Sequence, residues 1–153
     1  GADAATNITA GANLTAIGNE ALNNFPGRGN TAVGDLALFT SNGGGGDNNI
    51  AMGTFSGGYM AGNRNVILGV EAFKGGFGGD YDHRGNDNIF IGYAAGGGTW
   101  TGAISVTNVA IGSYSMQGAM NASSDNAALG YAALNALTTG DSNVAIGTVF
   151  EAN

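Results

Sequence analysis

The chain has 153 residues, 30 of them Gly, with one Pro, only 10% charged residues and a net charge of −7. Its four cations, Arg28, Arg64, Lys74 and Arg84, are too few and too scattered to track a phosphate backbone or an anionic membrane surface. Nucleic-acid and membrane partners are therefore not expected; no apolar run reaches the roughly 20 residues of a bilayer span, and the absence of Cys removes disulfides and thiolate metal sites.

The chain opens on Gly1-Ala2-Asp3, without a Met or a signal-peptide pattern, and reads as a piece of something longer. Residues 1–12 are expected to form an amino-terminal cap or linker, and residues 13–153 a single repeat domain. From Leu14 onward one phrase recurs: usually Asn, then two mostly apolar residues, a large aliphatic and Gly. The copies are Leu14–Gly18, Asn30–Gly34, Asn49–Gly53, Asn65–Gly69, Asn88–Gly92, Asn108–Gly112, Asn126–Gly130 and Asn143–Gly147. Successive glycines stand 16, 19, 16, 23, 20, 18 and 17 residues apart. A fixed phrase with an elastic spacer is the mark of a stacked repeat, in which spacer length alters only a loop. The expected fold is all-β: a parallel β-roll or β-solenoid of about eight coils, a rod roughly 40 Å long at ~4.8 Å per coil.

Within each copy the three apolar residues are too short for a helix and suit a strand buried on both faces. Alternation places the first and third on one face and the middle one on the other. The middle residue is Ala16, Ala32, Ala51, Ile67, Phe90, Ala110, Ala128 or Ala145. Large aliphatics thus share one face and mostly methyl groups the other. The aliphatic face is expected to fill the coil. The small face, apolar throughout, is expected to line the axis of a homotrimer, with Ile67 and Phe90 as axial plugs. A monomer whose alanines pack against their own return strand is the alternative.

After each Gly an Ala-Leu type pair, as in Asn19–Leu22, Asp35–Leu38, Val70–Phe73 and Tyr131–Leu134, is expected to provide the inward contacts of a return strand. The Gly itself is expected to take positive φ or allow close approach of two coils. Polar turns such as 62–64, 85–87, 124–125 and 140–142 precede the copies, and their Gly, Asn and Asp tolerate left-handed backbone. The recurrent Asn is placed to hydrogen-bond its equivalent in the next coil.

Two spacers stand out. Residues 74–87 hold the only His, the only Lys, Arg84 and several acids; residues 97–107 hold the only Trp. Inserted loops carry binding in solenoids. Aromatic faces beside carboxylates and N–H donors suit sugar rings, which offer apolar CH faces and hydroxyls together. Phe77, Asp80, Tyr81, Asp82, His83, Arg84 and Trp100 are therefore the candidate receptor or glycan patch, unless Phe77 and Trp100 fold back over coil edges. Gly75–Tyr81 matches the opening of a calcium-binding nonapeptide, but Asp82 stands where a large apolar residue is needed and no tandem copy follows. No metal or other cofactor is expected. Asp80 and Asp82 share one Gly-rich loop, a poor frame for paired carboxylate catalysis, and the chain is not expected to be an enzyme.

The phrases Asn30–Leu38 and Asn143–Gly147 resemble the repeats of YadA-like heads of trimeric autotransporter adhesins and the related repeats of bacteriophage tail-fibre proteins. The resemblance spans about residues 13 to 150 and rests on repetition. It implies a left-handed parallel β-roll, trimerised, at a virion tail fibre or bacterial surface, attaching to a bacterial or host surface glycan or other receptor. The spacers here are longer and less regular than in adhesin heads, and the Ala-Leu after Gly is closer to the phage variety. The leading expectation is a non-enzymatic attachment domain. A purely structural shaft segment and a polysaccharide depolymerase are the competing functions.

Overall fold

The computed structural model describes residues 1–8, 13–40, 45–75, 84–98 and 104–148. The chain folds as a parallel β-solenoid with no helix among the described residues. Its strands are β1 (Thr15–Ile17), β2 (Thr31–Val33), β3 (Ile50–Met52), β4 (Val66–Leu68), β5 (Gly85–Asn86), β6 (Ile89–Ile91), β7 (Ser105–Val106), β8 (Val109–Ile111), β9 (Ala127–Leu129) and β10 (Val144–Ile146). Eight of them form one parallel sheet in the order β1-β2-β3-β4-β6-β8-β9-β10, while β5 pairs with β7. The register never slips: Ala16, Ala32, Ala51, Ile67, Phe90, Ala110, Ala128 and Ala145 stand in one column whatever the spacer length.

That column is not at an oligomer axis. Ala32, Ala51, Ile67, Phe90, Ala110 and Ala128 are buried inside the single chain, and Ala16 and Ala145, in the two end strands, pack against the same core. The assignment of faces made from the sequence is inverted: the small face fills the coil and the aliphatic face looks outward. Nor are the strands buried on both sides, since Ile17 is 58% exposed and Ile146 77%. The cause is the coil's narrow cross-section. Opposite the alanines stand large side chains of the return segment, Leu22, Leu38 and Met116 among them, leaving room for a methyl group. In the coil of Phe90, where the strand residue is largest, the return position is Gly96. A Cβ on Gly96 would lie 2.5 Å from Phe90 Cδ1, whereas Gly57, on the return of the Ala51 coil, gives way to its neighbours: a Cβ there would lie 2.7 Å from Leu38 Cδ2 and 3.1 Å from Ile67 Cδ1 of the adjacent coils. Space is thus shared between neighbouring coils, the small pair Ala51 and Gly57 lying beside the large pair Ile67 and Phe73, as close packing requires.

The repeated glycines are demanded twice over. Gly112 has φ 130°, a region L-residues rarely enter, and its Cβ would sit 2.3 Å from the carbonyl oxygen of Gly130. The segment after each Gly is not a strand. Its residues alternate into left-handed backbone, as at Leu36 and Leu38 or Tyr114 and Met116. This alternation turns successive N–H groups to opposite neighbours. Leu36 N–H donates to Asn19 O at 2.9 Å, Leu38 N–H to Ser56 O at 2.9 Å and Thr40 N–H to Asn23 O at 3.2 Å. Both neighbouring coils are bonded without a β ladder, and the Ala-Leu type pairs, such as Ala37-Leu38 and Ala72-Phe73, do point inward as anticipated. Residues 1–8 repeat the same geometry: Asp3, Ala5 and Asn7 are left-handed, and Ala5 N–H donates to Ala21 O at 2.7 Å.

A column of buried Asn side chains runs through the stack. Oδ1 of Asn30, Asn49, Asn65, Asn88, Asn108 and Asn126 accepts the backbone N–H of the next Asn, at 2.8 to 3.1 Å. Each also accepts the next Asn's Nδ2–H, which from Asn49 to Asn126 has a second acceptor in the turn of the coil beyond: Asn65 Nδ2 donates to Gly85 O at 2.7 Å and Asn108 Nδ2 to Ser123 O at 2.8 Å. The amide is the one side chain that donates and accepts in this geometry at once. Leu14 in the first copy ends the ladder and packs against the core.

Candidate functional site

Three surfaces follow from this frame. The first is the outward strand face, built from the first and third residue of every strand in the main sheet. None of these residues is buried, and none is charged. Ile17, Ile50, Met52, Ile89, Leu129, Val144 and Ile146 are all exposed. Thr15 and Thr31 give the amino-terminal end its only hydroxyls, and Ala127 is the smallest residue of the face. Around Ala127 lies a hollow of about 220 Å³ lined by Val109, Ile111, Leu129, Val144 and Ile146. Contiguous apolar surface of this kind, when large, commonly marks a contact site.

The second surface is a tyrosine row beside the strands. Tyr93 and Tyr131 directly follow Gly92 and Gly130, and Tyr114 lies between them one coil from each. Tyr114 packs edge-on to Tyr93 at 5.2 Å and 84°, and to Tyr131 at 5.7 Å and 80°. Desolvation by the two flanking rings, with their own phenols and Glu71 nearby, holds the Tyr114 hydroxyl above its usual range.

The third surface lies at the root of the long spacers. Phe39, Phe55 and Tyr59 form one aromatic cluster with centroids 5.7 to 6.3 Å apart. Lys74 Nζ lies 4.8 Å over the Phe55 ring and 2.6 Å from Glu71 Oε1. Where the two spacers rejoin the stack they are direct neighbours. β5 pairs with β7, and Ser105 N–H donates to Arg84 O at 3.3 Å. Arg84 is exposed at this junction. Phe77, Asp80, Tyr81, Asp82, His83 and Trp100 lie outside the described residues, so the proximity of the two spacers rests on their roots. On the turn beside them Arg64 Nε and Nη2 form a two-point ion pair with Asp87 at 2.6 and 2.7 Å. The hydrogen bond from Arg64 holds the Asp87 carboxyl below its usual range, and Asp87 raises Arg64. Among the described residues no three His, Asp or Glu side chains converge as a metal site would need, and no helix is long and apolar enough to cross a membrane.

Reading the sequence missed the outward aliphatic face and the tyrosine row. Both left a signal: the aliphatic positions never carry a charge, and Tyr recurs at or just after the position following Gly. Fold and surfaces together define a parallel β-solenoid with one long apolar face. Against family models, curated proteins and solved structures the chain gives no match.

Proposed function

We propose that this chain is a non-enzymatic attachment domain of a fibre, a tail fibre or surface adhesin, that presents loops to a receptor or surface glycan. It is a left-handed β-roll working as a homotrimer, with the outward aliphatic columns, not the alanines, at the contact between copies. The observation that carries the reading is the uncharged aliphatic strip running the length of the sheet. A rod that leaves such a face in water is disfavoured by its apolar area. Three parallel copies cover it with closed symmetry: the first-position column meets one neighbour and the third-position column the other. The roots of the spacers 74–87 and 97–107 adjoin one another away from the strand face.

Light scattering tests the assembly. A mass three times the 15.0 kDa of one chain supports it, and a monodisperse single chain at micromolar concentration rejects it. A glycan array tests attachment: binding that is lost in Tyr81→Ala and Trp100→Ala is expected, and an array on which the protein binds nothing removes that part.

A further inference from the structure

The tyrosine row has no part in the core or in the strand face, yet it is ordered by the same stacking. The position after the repeated Gly reads Tyr93, Ser113, Tyr131 and Thr148 in four successive coils. Stacking is verified by backbone bonds on adjacent coils: Tyr114 N–H donates to Tyr93 O at 2.8 Å, and Ala132 N–H to Ser113 O at 2.9 Å. Aromatic and hydroxyl residues therefore alternate along the rod, with the aromatics two coils, roughly 9.6 Å, apart. Tyr93 is 43% exposed and Tyr131 55%, while Tyr114 fills the step between them and holds both rings by edge contacts. Towards the amino terminus the column changes character to Val70, Thr54, Asp35 and Asn19, with Asn19 Nδ2 bonded to Asp35 Oδ1 at 3.0 Å.

We infer that Tyr93, Tyr114 and Tyr131 form a platform for a linear oligosaccharide lying along the rod, with sugar units on the Tyr93 and Tyr131 rings. The inference rests on the attachment reading above and places a binding surface outside the loops. Three features on the row select this ligand class. An aromatic ring offers an apolar face to the CH side of a pyranose, and its hydroxyl edge offers hydrogen bonds. The two-coil spacing is comparable to a disaccharide unit, so alternate sugars meet rings and the intervening ones meet Ser113 or Thr148. The row itself carries no formal charge, and the nearby Glu71 is paired with Lys74, so a neutral glycan suits it better than a polyanion.

The test uses the full chain in its native assembly on a printed array of linear neutral and acidic oligosaccharides, followed by saturation-transfer NMR with the best hexasaccharide. Wild type is expected to bind a neutral linear glycan, with saturation passing from aromatic protons to sugar CH protons. Tyr93→Ala and Tyr131→Ala should each weaken binding about tenfold, whereas Tyr93→Phe should keep most of it because the ring, not the hydroxyl, carries the stacking. Light scattering and a melting curve on each variant keep the reading clean. Binding unchanged in both Ala variants but lost in Trp100→Ala overturns the platform and leaves the attachment reading standing. No glycan binding by wild type overturns both. Loss of binding together with loss of assembly mass assigns the row to the contact between copies and overturns the platform.

Discussion

Each interior Asn of the ladder, from Asn49 to Asn126, is buried with donors and acceptors on both sides. Asn88 Oδ1 accepts from Asn108 N–H at 2.8 Å and from its Nδ2 at 3.1 Å, while Asn88 Nδ2 donates to Asn65 Oδ1 and Ser105 O, both at 3.2 Å. Asn88→Ala strands groups on two coils and should cost about 2–4 kcal/mol in denaturant unfolding. Asn88→Asp has nearly the same shape but replaces the donor by a second acceptor. At neutral pH it should be at least as damaging, because a buried carboxylate then faces two oxygens. In the folded state that carboxyl is pushed above its unfolded value, so its deficit should shrink as pH falls; a deficit constant with pH would reject this account. The exposed Arg64–Asp87 pair behaves in the opposite sense. Asp87 is held low when folded, so its contribution is present at neutral pH and is lost as pH falls through the folded value. Because the pair is exposed, added salt should remove most of that contribution, read as convergence of wild-type and Asp87→Asn melting curves. At the repeated glycine both backbone angle and space are fixed. Gly112→Ala is expected to lose about 3 kcal/mol or more, or to prevent folding, since its methyl group would meet the Gly130 carbonyl.

At the scale of a coil, strand and return segment face one another across one narrow core. Four coils combine Ala on the strand with Leu or Met on the return (Ala16 with Leu22, Ala32 with Leu38, Ala110 with Met116, Ala128 with Leu134), and the coil of Phe90 combines a large strand residue with Gly96. Phe90→Ala alone opens a cavity and loses the Phe73 ring stacked 4.8 Å away, a change that should cost roughly 3–5 kcal/mol. Gly96→Leu alone places a side chain on the Phe90 ring. The double variant converts this coil to the commoner arrangement. Gly96 sits at φ 64°, and Leu22, Leu38 and Leu134 occupy the corresponding left-handed positions of other coils. The two changes should therefore be strongly non-additive, with the double variant more stable than either single one in urea. Additive losses would mean that the pairing of volumes is incidental.

For the whole molecule, the two strand faces give opposite responses to the same chemical change. Ile111→Glu on the outward face should leave a folded chain, by circular dichroism, that no longer assembles. Ala110→Glu, one residue away and pointing inward, should destroy folding, because a carboxylate in the filled coil has no partner. If Ala110→Glu instead yields a folded monomer, the inward placement of the alanine column is wrong. Stability in such a stack is a sum over coils and their contacts, so a single disrupted rung weakens its neighbours first.

Much of this architecture was written in the chain. Recurrence of Asn, aliphatic and Gly at elastic spacing determined a parallel stack in constant register, because backbone hydrogen bonding between coils tolerates length changes only in loops. The donor and acceptor on one Asn amide determined the ladder, and the need for a Cβ-free approach determined the glycines. The candidate loop site was legible as composition alone: of its residues Arg84 is described, at the junction where the two spacers meet. Period-two alternation, however, says that two faces differ and not which one is inside. Only the tertiary structure decided that, because the answer depends on how far the return segment stands from the strand. Its left-handed alternation, which no local propensity for Leu, Tyr or Phe would indicate, draws it close. The methyl groups then fit within, and the aliphatic side chains are left for a surface to cover.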